Sequence, residues 1–282
     1  MAQRRILASR ASGLAAAPFN ALVALGQQLS FHAHAVAWSP RTLRRYKKEV
    51  LRLIAEVSLG TGGLALIGGT VVVVVFMTGA VGVEVGLQGF TSLSNVGIDS
   101  LAGFVSSYAN TREVAPVLAG IALTATVGAG FTAQLGAMRI NEEIDTLETM
   151  GIPSIPFLVT TRIIAGLISV IPLYSLALLG SYVATRLIVT VYFHQSSGAY
   201  SHYFSVFLVP SDILISFAKV MVMSLVVMAV TCYHGFKASG GPAGVGKAVG
   251  SAVRLSLISV MLVDLLMDLA LYGGPSTVHV TG

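Results

Sequence analysis

Three charged side chains interrupt long apolar runs of this sequence, where a charge is costly and usually faces a partner or a wet cavity. Lys219 lies in one run, and Asp264 and Asp268 lie in the next. The two aspartates are four residues apart, so on a helix they share a face that can meet Lys219 on the preceding helix. The spacing predicts an ion pair between two helices or, alternatively, a relay for protons or other ions.

A further charged pair, Arg112 and Glu113, stands at the start of another apolar run. We expect this pair either to contact an anionic lipid headgroup or to mark the boundary between membrane and water. The candidates for a lipid pathway or an intramembrane ion pair are therefore Arg112, Glu113, Lys219, Asp264 and Asp268.

Other residue patterns argue against catalysis. The segment from Gly241 to Ala248 nearly matches a phosphate-binding loop, but Ala248 lacks the hydroxyl that would ligate Mg²⁺, and no strand precedes the segment. His194 and His202 have no cysteine or acidic cluster in their loop, and the single Cys232 excludes an intramolecular disulfide framework. We therefore predict no catalytic residue, no metal site and no cofactor bound by this chain.

The uncharged runs determine the expected fold class. Mean hydropathy is +0.83, and several runs exceed the roughly 20 residues that span about 30 Å of hydrocarbon. We predict an all-α polytopic membrane protein with an N-terminal interfacial helix and five transmembrane helices. The predicted spans are 57–83, 114–138, 163–185, 213–236 and 255–272.

The spans divide the chain into three regions. Residues 1–56 are expected to form a cytoplasmic or interfacial region, with Trp38 at headgroup level, rather than a cleaved signal peptide. Residues 57–273 are expected to form a transmembrane domain, and residues 274–282 are expected to form a tail on the outer side. Within the transmembrane domain, residues 84–112 are rich in Gly, Ser and Asn and are compatible with a broken or re-entrant helix.

The distribution of basic residues predicts the orientation. Fourteen of the 17 Lys and Arg residues fall in the N-terminal region, the loop 139–162 and the loop after the fourth span. The positive-inside rule places these regions in the cytoplasm, so the C-terminus of a five-span protein lies outside. Because the basic residues lie beside apolar spans, anionic headgroups rather than nucleic acid are the expected counter-charge.

The loop between the second and third predicted spans is unusually acidic. Ile140, Ile144 and Leu147 recur there at helical spacing, which predicts an amphipathic helix of about three turns that Gly151 ends in the left-handed conformation. The alternative is a solvated connector that only joins the two spans. Four of the twelve acidic residues fall within seven positions of this loop, Glu142, Glu143, Asp145 and Glu148.

Small residues recur at intervals of four in the second predicted span. This spacing places them along one helix face, where another backbone can approach closely. The alternative is a compositional accident. The five residues are Gly120, Thr124, Gly128, Thr132 and Gly136.

Taken together, these segments resemble permeases of the YrbE/MlaE type, the membrane subunits of ABC lipid transporters associated with Mce proteins. The resemblance covers about residues 41–273. Residues 155–166 resemble B-type subunits of actinobacterial Mce systems. The match is carried by residues 112–118, residues 141–153, Lys219, residues 232–236 with the glycine-rich segment to Gly246, and Asp264.

The resemblance implies three kinds of partner: a second permease subunit of this family, a cytoplasmic ATPase dimer that binds ATP and Mg²⁺, and Mce-type lipid-binding proteins on the outer side. It also implies that the acidic helix is a coupling helix that docks on the ATPase. In that role Ile144 and Leu147 are expected to enter a groove on this partner. The implied ATPase-coupling residues are Glu142, Glu143, Ile144, Asp145, Leu147 and Glu148.

We therefore expect a non-catalytic, multi-pass subunit in the cell membrane that forms a pathway for a fatty acid, sterol or phospholipid. An ion-coupled secondary transporter using Lys219, Asp264 and Asp268 is the alternative, although such folds are usually built from duplicated halves, and the five spans contain no internal repeat. A membrane scaffold is a third possibility. Of the three, only the first predicts an ATPase that co-purifies with the chain.

Overall fold

The structure is a computed structural model that describes residues 26–59 and 69–272. Every regular element within these residues is helical. Three helices come first: α1 (26–37), α2 (Ser39–Arg45) and α3 (Lys47–Leu59). They are followed by α4 (Thr70–Ser94), α5 (Asp99–Ile140), α6 (Glu143–Thr149), α7 (Ile155–Tyr192), α8 (Ser197–Phe207), α9 (Pro210–Phe236) and α10 (Gly241–Tyr272).

Five of the described helices are long and apolar enough to cross a membrane: α4, α5, α7, α9 and α10. A helix satisfies its backbone hydrogen bonds internally, which a membrane-spanning segment requires. The predicted all-α polytopic fold with five spans is thereby confirmed. The predicted outer tail, 274–282, and residues 1–25 of the predicted interfacial region lie outside the described residues.

The first span does not follow its predicted bounds of 57–83. Residues up to Leu59 belong to α3, whereas the long apolar helix begins at Thr70 and continues past Glu84 to Ser94. Glu84 is exposed and accepts a hydrogen bond from Gln88 one turn later, so the helix accommodates its charge. The helix therefore does not end at this charge, where the predicted span does.

The second span also begins earlier than predicted. α5 starts at Asp99 instead of residue 114 and runs to Ile140. Residues 84–112 contain the end of α4, a turn in which Gly97 has a φ of 73°, and the first turns of α5. This region is therefore a helix–turn–helix connection between two spans.

The third and fifth spans extend beyond their predicted bounds, whereas α9 agrees with 213–236 to within one turn. α10 begins at Gly241 instead of residue 255, because the glycine-rich segment forms its first turns. Lys247 and Arg254 are exposed on those turns. A charge on an exposed helix surface does not end the helix, so the basic residues do not mark where α10 begins.

The sequence predicts Arg162 among the basic residues of the acidic loop, but the structure buries it in α7. Its Nη1 donates a hydrogen bond to the carbonyl oxygen of Leu158 at 2.9 Å, and its Nη2 donates to Oε1 of Gln134 at 3.3 Å. Its guanidinium also lies 5.6 Å from the ring centroid of Phe131. Arg162 is therefore part of the helix packing and not an exposed loop charge.

The helices pack around α7 and α9. α7 contacts α3, α4 and α9, while α9 also contacts α5 and α10. Fully buried side chains on these helices include Leu123, Tyr174, Met223 and Met228. α8 packs on the first turns of α5, and α6 follows the last turn of α5, so α6 and α8 mark opposite ends of the molecule.

Candidate functional site

Lys219 on α9 is completely buried and contacts three oxygen atoms. Its Nζ lies 2.8 Å from Oδ1 of Asp264, 2.6 Å from Oδ1 of Asp268 and 2.8 Å from the carbonyl oxygen of Arg112. The contacts with Asp268 and with the Arg112 carbonyl are hydrogen bonds, and the contact with Asp264 is an ion pair. The lysine thereby connects α9 to both α5 and α10.

Arg112 forms a second buried ion pair nearby. Its Nε and Nη2 lie 2.9 Å and 2.8 Å from Oδ2 of Asp212, in the first turn of α9. Its Nη1 donates a hydrogen bond to the hydroxyl of Tyr108 at 3.1 Å. The guanidinium carbon also lies 4.4 Å and 4.3 Å from the ring centroids of Tyr108 and Tyr272, at cation–π distance.

Glu113 completes the charge cluster, which we define as Arg112, Glu113, Asp212, Lys219, Asp264 and Asp268. Glu113 is exposed, and one of its carboxylate oxygens lies within 4.8 Å of an oxygen of Asp264 and of an oxygen of Asp268. The cluster therefore contains four carboxylates and two basic groups, an excess of negative charge when all are ionised. No metal ion is needed to explain the contacts of Lys219, because the ammonium occupies the position between two of the carboxylates.

The backbone of α5 is irregular where it contributes to the cluster. Residues Asn110–Val114 form a single π-helical turn, and Thr124–Gly128 form another. Turns of this kind are frequent at functional sites. The first one contains Arg112 and Glu113, and its Arg112 carbonyl accepts the hydrogen bond from Lys219.

The structure brings together all five charged candidates named from the sequence and adds three residues that the sequence analysis missed. Asp212 follows Pro210 in the first turn of α9, where a carboxylate ordinarily stabilises a helix N-terminus. The position of Asp212 in the sequence therefore did not indicate a part in a buried ion pair. Arg112 was expected at a membrane boundary; its side chain is buried, and α5 begins before it, at Asp99. The other two missed residues are Tyr108 and Tyr272.

The small-residue stripe of α5 faces α9 and α10. A Cβ added to Gly120 would lie 2.9 Å from Val260, and one added to Gly128 would lie 2.9 Å from Thr231. A Cβ on Gly136, the last member of the stripe, would lie 3.0 Å from Val245. Thr124 and Thr132 are buried in the same face, and Oγ1 of Thr132 donates to the carbonyl oxygen of Thr231 at 3.0 Å. The stripe is thus part of the packing within this chain.

The acidic helix, α6, lies roughly 40 Å from the charge cluster along α5, at 1.5 Å per residue. It is shorter than the predicted three turns, because the backbone leaves the helical conformation at Glu142, whose φ is 60°. The predicted end at Gly151 is confirmed: its φ is 76°. The amides of Gly151 and Ile152 donate to the carbonyls of Glu148 and Leu147, each at 3.0 Å, which is the Schellman pattern.

The two faces of α6 have different surroundings. Ile144 is fully buried in the core of this chain, and Leu147 packs half-buried against the same core. The prediction that Ile144 enters a groove on a partner was wrong, because its own chain covers the apolar face. The exposed positions include Met150, which is 61% exposed, and the four acidic residues Glu142, Glu143, Asp145 and Glu148.

Two polar contacts fix α6 to its neighbours. Nη1 of Arg139, at the end of α5, lies 2.6 Å from Oδ1 of Asp145. Oγ of Ser154, just before α7, donates to Oε1 of Glu148 at 2.5 Å. Together with buried Ile144, these contacts connect α6 to the spans on both sides.

Five apolar spans, a charge cluster between three of them and an exposed acidic helix at one end define a multi-pass membrane protein. Residues 62–270 match the family described as Permease MlaE. The chain belongs to the MlaE permease family. The narrower resemblance to actinobacterial B-type subunits stays a prediction.

The chain is also similar to curated relatives. It is 32% identical over 195 residues to a probable ABC transporter permease protein of Rickettsia bellii, a match that covers 68% of this chain and 73% of the relative. It is 27% identical over 194 residues to protein TRIGALACTOSYLDIACYLGLYCEROL 1, chloroplastic, of Arabidopsis thaliana, covering 69% and 55%. A probable ABC transporter permease protein of Synechocystis is 26% identical over 196 residues, covering 70% and 74%.

Proposed function

We propose that this chain is the membrane subunit of an ATP-driven lipid transporter that works with Mce-type proteins. It forms the lipid pathway with a second permease subunit of the same family, and a separate ATPase binds ATP and Mg²⁺. The family and the names of the relatives support the permease role, and one relative carries the name of a lipid, trigalactosyldiacylglycerol. The transported lipid is a fatty acid, a sterol or a phospholipid.

The observation that carries this proposal is the construction of α6. A helix that only connects two spans needs neither an anchored apolar face nor a dense acidic surface. Ile144 holds α6 on the core, while Glu143 and Met150 face outward. A partner that moves α6 therefore acts on α5 through Arg139 and on α7 through Ser154. We propose that this partner is the ATPase and that the α6 end of the protein lies in the cytoplasm.

The charge cluster suits a role in the lipid pathway near the other end of the spans. It joins α5, α9 and α10 through buried ion pairs, so a movement of these helices must break or exchange those pairs. Exposed Glu113 presents a carboxylate next to the ion pairs, in a position to contact a polar headgroup. In this proposal the cluster holds the three helices together until ATPase movement separates them.

A second candidate function, ion-coupled transport, is favoured by one observation. Asp264 and Asp268 both contact the ammonium of Lys219, and Glu113 lies beside these two aspartates. Such a group of carboxylates attracts protons or other cations. This mechanism requires no ATPase. An ion gradient would then replace ATP as the source of energy.

Purification of the full-length chain from its native membrane separates these functions. We expect an ATPase, a second permease subunit and bound lipid to co-purify, and we expect the reconstituted complex to move fluorescent phospholipid between vesicles only when ATP and Mg²⁺ are present. Transfer driven by a pH or sodium gradient, without ATP, would overturn the proposal in favour of ion coupling. A chain that purifies without an ATPase and moves no lipid would support the scaffold.

A further inference from the structure

A pocket of about 410 Å³ lies between α7 and α8, at the end of the molecule opposite the acidic helix. Its size is within the range of pockets that bind small ligands. One wall belongs to α7, and the other belongs to α8. The lining residues that matter here are Leu179, Val183 and Arg186 on α7, and Ser201, Phe204 and Ser205 on α8.

Polarity changes along the α7 wall of this pocket. Leu179, Val183 and Arg186 follow one another at i, i+4 and i+7, so they lie on one helix face. Leu179 and Val183 are 57% and 56% exposed, so they face the surroundings of the protein rather than its core. Arg186 lies about 10 Å beyond Leu179 along the axis of α7, at 1.5 Å per residue, and it is nearer to the end of the span. A lipid has the same arrangement, with a polar group at the membrane surface and a chain directed inward.

Arg186 is available for an anion. It is exposed, and its Nη2 donates a hydrogen bond to Oγ of Ser197 at 3.0 Å. Within residues 26–59 and 69–272, no carboxylate lies at ion-pair distance from it. A guanidinium has five N–H donors and binds carboxylate and phosphate groups well, so most of its capacity remains for a ligand.

The pocket is next to the charge cluster but separate from it. Tyr182, which also lines the pocket, forms a hydrogen bond with Thr111, the residue before Arg112. One turn along α7, Oγ1 of Thr185 accepts a hydrogen bond from Nδ2 of Asn110 at 2.9 Å. Both partners belong to the π-helical turn of α5. An occupant of the pocket would therefore contact the helix face that positions this turn.

From these observations we infer that the pocket between α7 and α8 binds an anionic lipid, with its carboxylate or phosphodiester on Arg186 and its chain along Leu179, Val183 and Phe204. The positive charge of Arg186 favours a ligand with an anionic group. The apolar side chains of Leu179, Val183 and Phe204 favour an acyl chain. This site goes beyond the proposed transport function, because it requires neither ATP nor a partner subunit.

Photo-cross-linking tests the site on the full-length chain, with any co-purifying subunits, in nanodiscs of phosphatidylcholine. Three trace probes carry the same diazirine-labelled acyl chain: a phosphatidylglycerol, a fatty acid and a phosphatidylcholine. Mass spectrometry locates the modified peptides. We expect the anionic probes to label α7 and α8 several-fold more than the phosphatidylcholine probe. Labelling by only one anionic probe supports the site and identifies its anion.

Variants separate the site from general attraction to a basic protein. Arg186→Gln should reduce anionic labelling at α7 and α8 to the phosphatidylcholine level, whereas Arg186→Lys should retain most of it. Arg254→Gln is the matched control, because Arg254 is also exposed and also contacts a serine, Ser251, at 3.3 Å. It should leave this labelling unchanged.

A pocket-filling variant gives an independent result. Ser205→Phe places a ring at an exposed position of the pocket wall while leaving Arg186 in place. It should reduce labelling by every probe that enters the pocket. The inference is wrong if Arg186→Gln and wild type are labelled equally, or if phosphatidylcholine labels the pocket as strongly as the anionic probes. Thermal midpoints equal to wild type establish that each variant is folded.

Discussion

Lys219 of α9 and Asp264 of α10 form a buried ion pair, with 2.8 Å between Nζ and Oδ1. The lysine side chain has no exposed surface, and only 9% of Asp264 is exposed. Removing one partner of such a pair leaves an uncompensated charge in a medium of low dielectric constant. The pair therefore constrains α9 and α10 more strongly than an ion pair on the surface would.

We predict that Lys219→Met lowers the stability of the protein by about 3–5 kcal/mol, because it leaves Asp264 and Asp268 without their cation. Thermal unfolding of the purified protein measures the loss. Arg52→Met is the control, since Arg52 is 60% exposed and its pairing with Glu49 is worth at most about 1 kcal/mol. Combining Lys219→Met with Asn at both aspartates should recover part of the stability. Equal effects of Lys219→Met and Arg52→Met would show that the buried pair contributes little.

The contact between Lys219, Asp264 and Asp268 was predictable because charges are conspicuous in apolar runs and a spacing of four fixes their shared face. Helix ends were less predictable. The charges of Glu84 and Arg254 suggest the limits of spans, yet both residues are exposed on continuous helices. Composition identifies which residues can lie in a membrane, but it does not identify where a helix that extends beyond the membrane ends.

The sequence also did not predict which residues cover the apolar face of α6. The spacing of Ile144 and Leu147 correctly indicated an apolar face, but spacing does not determine which protein covers that face. Asp212 was missed for a related reason, because a carboxylate in the first turn of a helix has an ordinary local explanation. Both facts depend on contacts between residues that are distant in the sequence.

The close contact between α5 and α9 makes Gly128 sensitive to substitution. A Cβ at this position would lie 2.9 Å from Cγ2 of Thr231, whereas a Cβ at Gly130 would meet nothing within 4 Å. We predict that Gly128→Leu destabilises the protein by about 1–3 kcal/mol through overpacking. Gly130→Leu, in the same helix, should be mild. The thermal midpoints of the two variants measure the difference. Similar losses of stability would show that the stripe has no special packing role.

The proposed orientation predicts which end of the protein an impermeant thiol reagent reaches. Thr149, at the end of α6, and Ser196, just before α8, are both exposed and lie at opposite ends of the molecule. In a background with Cys232→Ala, a cysteine at position 196 should be labelled in intact cells, and one at position 149 should be labelled only after permeabilisation. Buried Cys232 should itself react little. The reverse pattern would place α6 outside and remove the basis for ATPase coupling.

The last prediction concerns the exposed surface of α6. Because Ile144 and Leu147 face the core of their own chain, Leu147→Asp would disturb the fold and would not isolate the coupling step. Met150 is the exposed apolar side chain at this helix end, and apolar anchors usually dominate a protein interface. Met150→Asp should therefore weaken ATPase binding and uncouple ATP turnover from lipid transfer, while the thermal midpoint of the permease stays unchanged. A pull-down and an ATP-dependent lipid-transfer assay on the reconstituted complex measure both effects.

The control for Met150→Asp and a companion variant define how this prediction can fail. Val96→Asp introduces the same charge at a side chain that is 69% exposed, near the opposite end of the molecule, and it should leave ATPase binding intact. Glu143→Gln should weaken ATPase binding less than Met150→Asp does, with an effect that disappears at high salt, since screening shortens the reach of an exposed charge. If Met150→Asp binds the ATPase and transfers lipid as well as Val96→Asp does, α6 is a connector and the coupling proposal is wrong.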